Sequence, residues 1–192
     1  MPPRTAQKER TRKALINAAR RLMETGQDVT VANMADAADI SRATAYRYFA
    51  DAGTIANEVA LELELISTED LLDGITDTRA RVHAVAQYYL KFSREHEAAF
   101  RQYLAQTMSQ WASGARTELR GARRVKAFAY ALAAVQPNMT AAEFSALVNR
   151  LSMLTGIEQM IATIDVLQLD AETADDLQYG IVDAVLDRYL PK

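Results

Sequence analysis

Nearly every stretch of this chain repeats its apolar residues with the 3.6-residue period of a helix, and none sustains the alternation of a half-buried strand. In "TRKALINAARRLMETG" (11–26), Leu15, Ala18, Ala19, Leu22 and Met23 fall at i, i+3, i+4, i+7 and i+8, and Gly26 stands at a natural stop. Thr30 is placed to cap a second, short helix through Ala38 that turns Val31, Met34 and Ala35 inward. Asp39 and Ile40 leave a very short connection to Ser41, whose hydroxyl caps a third helix running to about Tyr48. Asp51 caps a fourth, long helix from near Ala52. Further helices are predicted at 78–94, 96–110, 115–135, 140–166 and 171–189, with Thr140 starting one and Asp170 or Thr173 capping the last. The expected fold class is all-α.

Composition narrows the function classes. The 192 residues include no cysteine, which excludes disulfide frameworks, thiolate metal sites and Cys nucleophiles together and makes a reducing, cytoplasmic setting the expectation. The basic start "MPPRTAQKERTRKAL" runs into an amphipathic segment, so it does not read as a secretory signal. The longest apolar run, "AFAYALAAV" at 127–135, falls far short of the ~20 residues a bilayer requires, so no membrane partner is expected. Net charge is −3, which alone argues against nucleic acid. Its distribution argues the other way. Residues 1–57 carry nine bases and six acids, 58–77 seven acids and no base, 78–126 ten bases and three acids, and 127–192 three bases and nine acids. An N-terminal segment can thus face phosphate while the rest keeps the protein soluble.

The stretch "DISRATAYRYFADAG" (39–53) concentrates the relevant chemistry. Two short helices joined by a tight turn, with a third packed behind, make a helix-turn-helix unit whose second short helix enters the DNA major groove. The turn Ser41, Arg42, Ala43 and Thr44 can reach base edges, and Arg42 is suited to the bidentate contact that guanine offers. Thr30, Tyr46 and Tyr48 supply hydroxyls for phosphate oxygens, while Arg47 points either to DNA or to solvent. Ile40 and Phe49 would anchor the helix in the module's core.

From about Lys8 to Val59, with "ALINAARRLMETG" followed by "TVANMADAADISRATAYRYF", the chain resembles the TetR-type bacterial transcriptional repressors. The resemblance implies a DNA-binding module at 1–50 and a larger helical ligand-binding and dimerisation domain at 51–192, joined by the helix starting near 51. Three residues depart from the family pattern. Asp39 replaces the usual turn glycine, and Asp is among the few residues that tolerate a left-handed backbone. Ala45 replaces a larger aliphatic, which predicts a thinner core. Ala52 replaces a common lysine, which removes one phosphate contact.

Beyond residue 60 the residues leave alternatives open. Tyr88, Phe92, Tyr103, Trp111, Met153 and Met160 either fill a core or line a pocket for a mainly apolar small-molecule effector, with Tyr103 and Trp111 offering hydrogen-bonding tips. The stripe Phe144, Leu147, Leu151, Leu154 and Ile161, with Gly156 permitting close approach, and the stripe Ile181, Val182, Val185, Leu186 and Tyr189 fit either a four-helix homodimer interface or burial within one chain. Arg116, Arg120, Arg123, Arg124 and Lys126 make either a solvated or acid-paired face or an anion-binding one. "HEAAF" (96–100) opens like a zinc-protease motif, but Phe100 stands where the second His must be, so no metal, cofactor or catalytic role is expected. The function expected is a ligand-responsive repressor binding a pseudo-palindromic double-stranded operator as a homodimer. The alternative is a protein-interaction adaptor with a weakened DNA module.

Overall fold

The computed structural model describes residues 4–51, 55, 58, 59, 65–114 and 123–190. Its elements are α1 (Arg4–Glu24), α2 (Val31–Ala37), α3 (Arg42–Ala45), α4 (Thr68–Leu71), α5 (Thr78–Glu95), α6 (Glu97–Ala112), α7 (Arg123–Ala131), a 3-10 turn (Gln136–Asn138), α8 (Ala141–Met153), α9 (Ile157–Ile161), a π-helical turn (Ala162–Val166) and α10 (Ala171–Tyr189). Among the described residues there is no strand, and no helix is long and apolar enough to cross a membrane. The chain forms two compact units: 1–64 with 96–118, and 65–95 with 119–192.

In the first unit the predicted inward face of α1 is fully used. Leu15, Ile16, Ala18, Ala19, Leu22 and Met23 are buried with Val31, Met34 and Ala35 of α2, Ala45, Phe49, Ile55, Val59 and Ala99 of α6. Each large apolar side chain taken from water contributes about 1.5–3 kcal/mol, which makes this core the support for the short helices above it. α1 ends at Gly26 with φ +68°; the Gln27 amide donates to the Leu22 carbonyl and the Gly26 amide to that of Met23.

In the second unit Val82, Val85 and Ala86 of α5 join Phe128 of α7, Leu147, Val148 and Leu151 of α8, and Val182 and Leu186 of α10. α5 and α10 run antiparallel and are tied by polar bonds. Arg79 reaches Asp183 at 3.1 Å and also Asp187, His83 Nε2 lies 2.9 Å from Asp183, and Arg94 pairs with Asp175 at 2.7 Å. The His83 ring also stacks on Tyr179, centroids 3.8 Å apart.

The single helix expected over 140–166 is broken. Thr140 does cap its start, in a reciprocal pair with Glu143, but α8 stops at Met153 and α9 starts after Gly156, whose φ of +89° and ψ of −165° suit glycine alone. Side chains satisfy the carbonyls freed at this break: Arg124 donates to Thr155 and Gln178 to Leu154. A Cβ on Gly156 would fall within the Arg124 guanidinium. Two short elements escaped prediction, α4 with its Ser67 cap and the 3-10 turn at Pro137.

Candidate nucleic-acid interface

The turn between α2 and α3 is set by backbone geometry. Asp39 has φ +54°, the left-handed conformation expected for it, and the Ile40 amide donates to Ala35 at 2.9 Å while the Asp39 amide donates to Asp36 at 3.3 Å. These two bonds close α2 and send the chain directly into α3. Both predicted caps are present. Thr30 Oγ1 accepts from the Asn33 amide at 3.0 Å, and Ser41 Oγ accepts from the Thr44 amide at 3.3 Å while donating to Thr44 Oγ1 at 2.9 Å. α3 proper is shorter than predicted, ending at Ala45; tighter bonds from Arg47 to Thr44 and from Tyr48 to Ala45 carry the turn on to Phe49.

Burial sorts the side chains of this element. Ala45 and Phe49 are buried and Ile40 packs against the same core, while Thr30, Ser41, Arg42, Ala43, Tyr46 and Arg47 are exposed. Thr44 and Tyr48 are half-buried, and Tyr48 packs on the core. The helix therefore presents two arginines, hydroxyls and a methyl outward over a fixed base. Ala45 has no exposed surface, so the small side chain lies under the helix, not beside a groove. Ala52 lies outside the described residues.

One contact was not foreseen. The Arg42 guanidinium is held by Asp36 on α2, Nε to Oδ1 at 3.3 Å and Nη2 to Oδ2 at 2.7 Å. These hydrogen bonds from Arg42 hold the Asp36 carboxyl below its ordinary range, so it stays ionised near neutrality. The signal in the sequence was an acid six residues before the arginine, legible only once the turn between them is known to reverse the chain.

The candidate effector and dimer residues are distributed differently. Tyr88 and Phe92 stack on α5 with centroids 5.8 Å apart, and the Tyr88 hydroxyl accepts from the Ile66 amide at 3.0 Å. Met160 is fully buried, Met153 is 79% exposed, and Tyr103 and Trp111 belong to α6 in the first unit, with Trp111 77% exposed. A cavity of about 430 Å³ in the second unit is lined instead by Asn138, Met139, Glu143, Arg188 and Tyr189. For Leu147 and Leu151, burial within the chain is the reading that holds, since both have no exposed surface; Leu154 packs against the same core and Val185 is half-buried. Gly156 sits in the helix break against Arg124, while Ile181 remains 39% exposed. Of the second basic cluster, Arg124 pairs with Glu158 at 3.1 Å, Arg123 and Lys126 are exposed, and Arg116 and Arg120 lie outside the described residues.

Comparison with protein-family models, with curated proteins and with solved structures finds no match to this chain.

Proposed function

We propose that this chain is a sequence-specific DNA-binding regulator of transcription whose α2–α3 unit docks in the major groove, as its resemblance to the TetR-type repressors implies. The observation that carries the reading is the pairing of a left-handed Asp39 turn with the sorting of α3 into a buried Ala45/Phe49 side and an exposed Arg42/Ala43/Tyr46/Arg47 side. That arrangement suits base contacts from the first turn and phosphate contacts from the hydroxyls.

A homodimer follows from the same reading, because two recognition helices about 34 Å apart match successive major grooves. With Leu147 and Leu151 used inside the chain, the surface proposed for the partner is the outer side of α8 and α10. Ala142, Ser145, Asn149 and Met153 are exposed at helical spacing on the first, and Leu177, Gly180, Ile181 and Ala184 on the second. Small residues there allow close helix approach. A mainly apolar effector that prefers one conformation would change operator affinity by the ratio of its affinities for the two states. Tyr88 and Phe92 are the residues of the second unit proposed to meet it.

Selection of bound sequences from random duplex DNA by the purified protein tests this function. Enrichment of a two-fold symmetric motif is expected. Recovery of unenriched sequence, with binding no stronger than charge alone supplies, would reject it and favour the adaptor.

A further inference from the structure

We infer that Asp36 is a positioning residue for base readout, locking the Arg42 guanidinium so that only its Nη1/Nη2 end is presented to a guanine. The inference rests on the DNA-binding reading above and adds to it a residue on α2 that would touch no base. A guanidinium has five N–H donors in a rigid fork and two edges that can form parallel hydrogen-bond pairs. In this chain the Nε/Nη2 edge is occupied by both carboxylate oxygens of Asp36. The Nη1 donors and the second Nη2 hydrogen remain, and together they offer the spacing that guanine O6 and N7 accept.

Stability does not account for the pair. Arg42 is 62% exposed and Asp36 57% exposed, and ion pairs in that setting contribute little to folding. An acid on a surface meant for phosphate also opposes general DNA affinity, so its presence there is a cost unless it sharpens recognition. What the fork does provide is orientation. Arg42 lies one residue past the Ser41 cap, and Asp36 lies three residues before the left-handed Asp39, so the turn that delivers α3 also delivers the carboxylate to the arginine. A long, flexible side chain is thereby ordered before DNA arrives, and the ordering no longer has to be made on binding.

The test compares wild type with Asp36→Ala, Asp36→Glu and Arg42→Ala, measuring affinity for the selected operator and for the same duplex altered at the position that Arg42→Ala flattens. Asp36→Ala is expected to reduce discrimination at that position about two- to tenfold, the scale of one immobilised side chain, while raising affinity for unrelated duplex. Asp36→Glu keeps the charge but moves the carboxylate, so it should lose discrimination without the general gain. In DNA-free protein the Arg42 Nε–H resonance should be resolved in wild type and lost in Asp36→Ala. Unchanged discrimination in Asp36→Ala, with Arg42→Ala still flattening one position, would overturn the inference and leave DNA binding standing. So would a selected motif that Arg42→Ala does not alter. Failure of wild type to select any sequence would instead reject the function itself.

Discussion

Replacing Gly156 by alanine separates backbone strain from side-chain packing at the break between α8 and α9. With φ at +89° and ψ at −165°, a residue bearing a Cβ costs about 1–3 kcal/mol for the conformation alone. The new methyl would also occupy the space of the Arg124 guanidinium, which must then leave the Thr155 carbonyl and the Glu158 carboxylate. Hydrogen bonds to a charged group contribute about 1.5–3 kcal/mol each, and with one of the two re-formed by the flexible Arg124 side chain the expected cost of Gly156→Ala is about 2.5–6 kcal/mol. Urea unfolding followed by circular dichroism measures it. In an Arg124→Met background the displacement is already absent, so the same substitution should cost only the strain, about 1–3 kcal/mol. A cost under about 1 kcal/mol, or an equal cost in both backgrounds, would refute the account of the break.

Asp183 is held below the usual carboxylate range first by its hydrogen bond from His83 and then by the charges of His83 and Arg79. Since the folded value is depressed, its contribution is present above the unfolded value near ~3.9 and is lost as pH falls through the folded one. Asp183→Asn should therefore lower stability at pH 7, and the gap from wild type should close below about pH 4; a gap that stays constant to pH 3 would contradict this. Thr30→Ala removes the cap of α2 and should cost about 1 kcal/mol of unfolding free energy in urea, against no measurable change if the cap is unimportant. Ile181→Glu places a charge on the proposed partner face and should leave a folded monomer in sedimentation at micromolar concentration; an undisturbed dimer would move the interface elsewhere.

How much could be read from the residues alone follows from the range of the interactions involved. The core side of α1 and the caps at Thr30, Ser41 and Thr140 were legible because each depends on residues within one or two turns; the last cap was narrowed only to Asp170 or Thr173, of which Asp170 serves, and the left-handed Asp39 was read through the family's turn glycine. The break at Gly156 was not, since its partners Arg124 and Gln178 lie 32 residues before it and 22 after it in the chain. The stripe through Leu147 and Leu151 had the period of a buried helix face, but period alone does not say whether the same chain or a second copy covers it. Aromatic spacing failed for Trp111, which is largely exposed, whereas Met160 is wholly enclosed and takes the core alternative. Asp36 looked like an ordinary surface acid until the turn brought Arg42 against it.

Salt-titrated binding of the purified protein to its selected duplex and to a scrambled one of equal length tests whether α3 reads DNA. Log affinity is expected to fall linearly with log salt on both duplexes, the selected one is expected to bind at least ~10³-fold more tightly, and Arg42→Ala is expected to remove about 1–3 kcal/mol of that difference. Equal affinity for the two duplexes at every salt concentration would contradict readout by α3.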